Sequence, residues 1–331
     1  MFSLNGSKVL VTGGAGHIGS HVVDAVLAEG ASKVIVYDNF AEGKTGNMGP
    51  ALRTGRVEAL SRDIRDYEDL KPAMEGCDYV FHTASIMLLE ARVRGRKALE
   101  VNVDGTYNVL QAAVETGVKK VILSSSGSVY GEPLYIPMDE KHPYNNETLY
   151  GATKVMSEQL CRVFHRQYHL SYAGLRYFNV YGPRQHIKGA YAQIVPRWYD
   201  MMTSGERITI FGDGTQTMDM TYVEDVARAN VLAAKADITA DFLNVGTGAS
   251  TSVNEVFHYL KDLLNYKLQP VYVERDVNLV KRRQCSPELA ESTIGFKYTI
   301  SVSEGLRRYV AWRRQIAQEE ELNVAASASA R

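Results

Sequence analysis

The stretch Lys8–His21, KVLVTGGAGHIGSH, constrains this chain more than any other. Val9, Leu10 and Val11 form a short apolar run of the kind buried in a parallel strand. A glycine turn follows, then a helix-like run from Ile18 to Leu27. Gly13, Gly16 and Gly19 give G-x-x-G-x-x-G; Gly14, Gly16 and Gly19 give G-x-G-x-x-G. Either spacing lets the backbone approach a pyrophosphate at a helix start, where unpaired N–H groups and the dipole favour negative charge. A second strand, Lys33 to Tyr37, ends at Asp38, 19 residues past Gly19. A carboxylate there takes a ribose hydroxyl of a dinucleotide. It also repels a 2′-phosphate, which selects NAD over NADP. His17, Ile18 and Asn39 beside these positions are assigned to the same site.

Length and composition narrow the class. A chain of 331 residues buries a large core and has room for two lobes. Apolar residues make up 45% and charged residues 23%, ordinary for a soluble globular enzyme. The net charge is −1 with no basic block, so a nucleic-acid partner is not expected. Cys77, Cys161 and Cys285 are odd in number and have no metal-like spacing, which points to a reducing compartment and no metal. No apolar run approaches the roughly 18 residues of a membrane span. The first strand also begins almost at the N-terminus, leaving no room for a signal peptide. A cytoplasmic setting is expected.

Strands are expected at 8–12, 33–37, 57–60, 79–82, 120–124 and 171–176, with helices near 18–29, 66–75, 98–116 and 150–168. This alternation predicts an α/β fold, a Rossmann-type doubly wound parallel sheet. Asp63 and Ile64, after the third strand, border the adenine in one reading and cap a helix in the other. Thr83, Ala84 and Ser85, after the fourth, are small enough to let the sheet edge lie against a cofactor. His82 reads as a strand residue rather than a catalyst. Arg92, Arg94 and Arg96 could meet an anionic ligand, but read first as a solvated helix start. Asn102 is expected near the cofactor, holding a strand or a water. After residue 180, Gly182-Pro183, Gly189 and Gly205 punctuate loops, and Asp213-Gly214 turns after a strand at 208–211. A helix over 222–235 and a strand over 241–245 return to the core. The expected NAD-binding domain is therefore 1–179 with 222–248. A smaller substrate-binding lobe, 180–221 with 249–315, lies over the sheet's C-terminal edge, where open α/β folds bind ligands. Residues 318–331, Glu-rich and then Ala/Ser-rich, are expected to be disordered.

Tyr150-Gly151-Ala152-Thr153-Lys154 places Tyr150 and Lys154 on one helix face. A free tyrosine, with a pKa of about 10, is roughly 0.1% ionised near pH 7. Lys154 and a positively charged nicotinamide can both stabilise its phenolate. LSSSGSVYG, Leu123 to Gly131, follows a buried strand. Hydroxyls there, Ser124 and Ser126 among them, can pass a proton or hold a sugar hydroxyl, unless the run is a plain turn.

With these motifs, and with LRYFNVYGPR and FGDGTQTMDMTYVEDVA, the chain resembles the extended short-chain dehydrogenase/reductases over about residues 8–313. The branch is that of the NAD-dependent sugar-nucleotide epimerases and dehydratases. The resemblance implies that Tyr150 is the general base/acid, that Lys154 lowers its pKa and holds the nicotinamide ribose, and that Ser126 relays the proton at the sugar 4-hydroxyl. Hydride leaves C4 and returns to the other face of a 4-keto sugar, giving the C4 epimer with no net redox. Dehydratases of the branch carry an Asp/Glu pair after the catalytic Thr, and decarboxylases a Glu. Here Gly127 and Ser128 follow Ser126, so elimination lacks its second acid/base pair and a 4-epimerase is favoured over a dehydratase, a decarboxylase or a keto-reductase. A non-catalytic NAD-sensing protein is the alternative outside enzymes.

The resemblance also implies a UDP-sugar partner. Asn179 is expected to hold a sugar or phosphate oxygen, Tyr177 and Phe178 to flank the nicotinamide, and Phe211 to rest on the base unless it is a core aromatic. Val195, Trp198 and Thr209 join the substrate set. Relatives usually carry Arg in G-D-G-x-x-x-R-D; here the position is Met218. Another cation should replace it, and Lys281-Arg282-Arg283, Arg283 in particular, is the best candidate, unless its guanidinium meets a uronate carboxylate instead, as Arg184 could too. HPYNNETLYG, IMLLEARV and NLVKRRQ resemble UDP-glucuronate 4-epimerases. That puts UDP-glucuronate/UDP-galacturonate first, then UDP-glucose/UDP-galactose and N-acetyl forms. Relatives form homodimers through two helices, here near 98–116 and 150–168, with Val109, Ala113 and Leu160 as either seam or core.

Overall fold

The computed structural model describes residues 2–185, 193–274 and 281–329, without the side chains of 320 and 323–329. Gly189 lies outside the described residues. Seven parallel strands form the main sheet: β1 (Lys8–Thr12), β2 (Lys33–Asp38), β3 (Val57–Ser61), β4 (Tyr79–His82), β5 (Lys120–Ser126), β6 (Tyr172–Tyr177) and β7 (Asp241–Val245). Their order is β7-β6-β5-β4-β1-β2-β3. The winding reverses between β1 and β4, and the glycine turn sits at that switch point, where such sheets open a crevice.

Alternation along each strand feeds both faces. Val9 and Val11 pack with Val22 and Val26 of α1 (His17–Ala28). Leu10 points the other way, into a core shared with Leu70 of α2 (Tyr67–Met74), Val109 of α3 (Gly105–Glu115) and Cys161 of α4 (Leu149–Tyr168). A separate apolar core builds the smaller lobe from α5 (Ile194–Thr203), α7 (Val253–Leu264) and the start of α8 (Val302–Ser329). Between α5 and α7, helix α6 (Val223–Lys235) returns to pack on α1.

Two expectations need correcting. The helix foreseen over 98–116 is a short helix, Gly95–Leu99, a π turn, Glu100–Asp104, and then α3. The cause lies at Asn102, whose carbonyl accepts from Thr106 Oγ1 at 2.6 Å and Ser157 Oγ at 2.8 Å and so leaves the regular ladder. The tail foreseen as disordered continues α8 to Ser329. Its Ala and Glu residues propagate a helix whose nucleation has already been met upstream. Among the described residues no helix is long and apolar enough to cross a membrane.

Candidate active site

The chain leaves β1 at Thr12 and turns at Gly13, whose φ is +66°. A Cβ on Gly13 would sit 2.8 Å from the Ala84 backbone, and one on Gly19 would collide with the Gly13 carbonyl. The bare backbone that results, at the start of α1, is a cradle that fits a pyrophosphate. Asp38 accepts from Ala15 N at 3.0 Å and Phe40 N at 2.8 Å, which holds its carboxylate at the end of β2. Burial pushes its pKa up, against those two hydrogen bonds. The cleft around these groups has a volume of about 940 Å³. Gly13, Gly16, His17, Ile18 and Gly19 line it from the turn, Asp38 and Asn39 from β2, Asp63 and Ile64 from the end of β3, and Thr83, Ala84 and Ser85 from the end of β4.

Asn102 does not face this cleft. Its Oδ1 accepts from Ile86 N at 2.7 Å and Ser85 Oγ at 3.2 Å, and its Nδ2 donates to Ile86 O and Thr153 Oγ1, both at 3.0 Å. With every donor used, it ties the loop after β4 to α4 and has none left for a cofactor. Arg184 is also corrected. Instead of reaching toward the sugar, it lines the dinucleotide cleft, its Nη1 2.7 Å from Asp24 Oδ2 but off the line of a hydrogen bond. Arg94 and Arg96 pair with Glu90 and Glu100 on the surface. His82 is buried between Thr12 and Thr106, at 2.7 and 3.0 Å.

The residues expected to transfer the proton gather where β5 meets α4. Thr148 Oγ1 accepts from Gly151 N at 3.1 Å and caps α4, which sets Tyr150 in the first turn and Lys154 one turn on. The Ser126 hydroxyl sits beside the Tyr150 hydroxyl, where it opposes the rise of the phenol's pKa, and its Oγ accepts from Ser128 N at 3.1 Å. Lys154 Nζ donates to Ser124 O at 2.9 Å and lies 5.7 Å from the Tyr150 ring centre. Burial pushes Tyr150 up to about 12, against Ser126 and the Arg283 charge. Burial pulls Lys154 down to about 8, against Glu158. Ser124 Oγ lies 3.0 Å from the Tyr177 hydroxyl, which donates to Asn230 at 3.0 Å.

On the other side of the pair, the charge of Arg283 is felt by Tyr150, and its Nε is buried without a hydrogen-bond partner. Asn179 Nδ2 donates to Asp219 O at 2.9 Å. Phe211 is 46% exposed, so it is not a core aromatic; Thr209 is half-buried on the same short strand. Val195 and Trp198 are corrected, because both are packed into the core of the smaller lobe, Trp198 edge-on to Phe257. Val109 and Ala113 are core as well, with Leu160 packed against the same cluster. Among the described residues no cluster of His, Cys, Asp and Glu suits a metal ion.

Sequence reasoning missed two features. A Cβ on Gly127 would lie 2.9 Å from the ring of Phe178, which is buried with Val129, Tyr130, Met138 and Cys285. Asp219, also buried, accepts from Thr247 N and Oγ1, Gly248 N and Cys285 N, tying the segment that carries Arg283 to the end of β7. The Asp that closes G-D-G-x-x-x-x-D, Gly212 to Asp219, was the only signal for it.

Residues 9–246 match the family described as the NAD dependent epimerase/dehydratase family. The chain belongs to this family. It is an NAD-dependent enzyme of the isomerase class. Three solved relatives illustrate its neighbourhood. A UDP-glucose 4-epimerase from Thermotoga maritima, with UDP-glucose, is 35% identical, with a TM-score of 0.88 over 94% of this chain and 99% of that one. A UDP-N-acetylglucosamine 4-epimerase from Methanobrevibacter ruminantium, with UDP-N-acetylmuramic acid, is 33% identical, with a TM-score of 0.89 over 95% and 99%. A UDP-glucuronic acid 4-epimerase from Bacillus cereus, with UDP-glucuronic acid and NAD, is 30% identical, with a TM-score of 0.85 over 93% and 99%.

Proposed function

We propose that the chain is a UDP-sugar 4-epimerase, and the observation that carries this reading is the sealed loop after Ser126. Elimination of water needs a carboxylate beside the catalytic hydroxyl. Gly127 occupies that place and Phe178 closes the space behind it. The Tyr150–Ser126 pair, with Lys154 beside it, suffices for epimerisation. Ser126 orients the sugar 4-hydroxyl and passes its proton to Tyr150; Lys154 holds the phenolate. Bound NAD would supply the acceptor and donor for the C4 hydride. The residues that fit it are the glycine cradle, Asp38 and Lys154. Once the 4-keto sugar presents its other face, Tyr150 returns the proton through Ser126.

For the sugar, charge is the guide. Met218 leaves the diphosphate without one arginine, and Arg184 sits on the cofactor side. Arg283 is then the buried cation with first claim on the diphosphate, which favours a neutral hexose such as UDP-glucose/UDP-galactose or an N-acetyl form. The nearness of Arg283 to Tyr150 supports a second reading, in which it meets a uronate carboxylate as a fork. Incubation with each UDP-sugar in turn, without added reductant, followed by proton NMR, tests both. One C4 epimer is expected; loss of the C6 protons or release of carbon dioxide would refute the reading of the Ser126 loop. Arg283→Ala is expected to raise KM on neutral and uronate sugars alike. A loss confined to the uronate would reverse the order of the two readings. We also propose a homodimer through α3 and α4, supported by the exposed Tyr107, Met156 and Val163.

A further inference from the structure

Three successive residues of β5 meet three side chains on one face of α4. Ser126 meets Tyr150, the Ser124 carbonyl takes Lys154 Nζ, and Ser125 Oγ donates to Glu158 Oε1 at 2.6 Å. The reaction uses Tyr150 and Lys154, and nothing in it uses Glu158.

Glu158 nevertheless has no exposure at all, and a carboxylate so enclosed is costly unless paired. Its partner is Arg176 on β6, itself 2% exposed. Arg176 Nε reaches Oε1 at 2.9 Å and Nη2 reaches Oε2 at 2.7 Å, a two-pronged fork. The Tyr144 hydroxyl donates to Oε2 at 2.6 Å. Arg176 Nη1 donates to the Tyr130 hydroxyl at 2.7 Å, which passes on to Asn244 Oδ1 at 2.7 Å. The rings of Tyr130, Tyr144 and Phe242 lie 5.0, 5.5 and 5.4 Å from the guanidinium. An apolar core would stabilise this spot as well as a buried ion pair does, so its position, one turn behind Lys154, is the informative fact.

We propose that Glu158, locked by Arg176, is a positioning residue for the catalytic pair, setting the register of α4 on the serine end of β5 and keeping the Lys154 ammonium charged. This rests on Tyr150 and Lys154 being the proton-transfer pair. The groups that face them are known: on β4 His82, held neutral with its pKa at about 3 by burial and then by Lys154; on β6 Arg176 and Tyr177; on the segment after 281 Arg283. Glu158 lies one helical turn beyond Lys154 on the same face of α4, and from there its carboxylate opposes loss of the Lys154 proton.

The test is the pH profile of kcat for Glu158→Gln and Glu158→Asp, on whichever UDP-sugar the wild type converts. Glu158→Gln should move the alkaline limb about one unit toward acid and cut kcat about tenfold on that limb, with KM little changed. Glu158→Asp, which keeps the charge, should restore the limb. An unshifted limb in Glu158→Gln, or equal shifts in both variants, would overturn the proposal. Should Glu158→Gln not fold, the double variant Glu158→Gln/Arg176→Met, which buries no unpaired charge but removes a cation along with the anion, must shift the limb in the same direction by a smaller amount, and an unshifted limb there overturns the proposal. A wild type that converts no UDP-sugar refutes the proposed function instead. The phenolate absorbance of Tyr150 in the holoenzyme, taken by difference from Tyr150→Phe, then reads the coupling directly. A midpoint moved by Glu158→Gln supports the proposal, and an unmoved one overturns it.

Discussion

Lys154→Met removes a charge while keeping the length of the side chain, and its effect can be worked from the geometry. In the free protein the two groups titrate in the wrong order for catalysis. Lys154 loses its proton at about 8 and Tyr150 at about 12. Moving the proton from the phenol to the amine across those 4 units costs about 5 kcal/mol. The Nζ lies 5.7 Å from the phenol ring centre, and at an effective dielectric of about 20 opposite charges at that separation attract by about 3 kcal/mol. About 2 kcal/mol then remains, a gap that the positive charge of bound NAD is expected to close. Without the ammonium the phenolate loses the whole 3 kcal/mol, so kcat should fall about 100-fold near neutral pH. The acid limb should move up by about 2 units, so that raising the pH recovers activity. Lys154→Arg should lose far less. Initial rates of epimer formation between about pH 6 and pH 10, with NAD content measured on the same samples, make the assay. A Lys154→Met enzyme within threefold of wild type, or one whose loss is the same at every pH while NAD stays bound, would refute the electrostatic account.

Gly127→Ala should lower the unfolding free energy by about 1–3 kcal/mol, since its Cβ meets the Phe178 ring. Phe178→Leu makes room, so in denaturant titrations the double variant should be less destabilised than the sum of the two single changes; strict additivity would mean that the contact is not tight. Lys120 is fully buried, its Nζ donating to Ala233 O at 3.1 Å and Ala236 O at 2.8 Å at the end of α6. Burial lowers its pKa to about 8, so between that value and its unfolded value the unfolded chain binds more protons, and stability rises with pH across the window. Lys120→Met should abolish that rise, which amounts to at most about 3 kcal/mol; an unchanged pH dependence of the unfolding midpoint would refute the assignment.

The local motifs were legible because their partners are near in sequence. Gly13, Gly16 and Gly19 act within one turn, and Tyr150 and Lys154 within one helical turn. The strands followed from apolar runs that the sheet buries on both faces. What the sequence hid depends on distant pairing. Asn102 looked like a cofactor contact, yet its amide is consumed by Ile86, 16 residues away, and Thr153, 51 away. Glu158 and Arg176 are 18 residues apart and each is ordinary alone. Asp219 meets Cys285 across 66 residues. Trp198 and Val195 were placed in the substrate set by resemblance alone, and an amphipathic helix buries its apolar face wherever the lobe closes. Arg184 shows the same limit: the motif placed it in a loop between two ligands without saying which way it turns.

The Gly127–Phe178 contact also bears on how such chains diversify. An acid pair beside Ser126 would have to begin at position 127, and a side chain arriving there first would meet the Phe178 ring, a cost of about 1–3 kcal/mol before any new acid could act. Shrinking residue 178 first opens a void with no benefit of its own. The two changes are cheaper together than in either order alone, so positions 127 and 178 are expected to vary as a pair. Epistasis between two buried positions, one of them a glycine, then ties the loop beside Ser126 to the aromatic behind it.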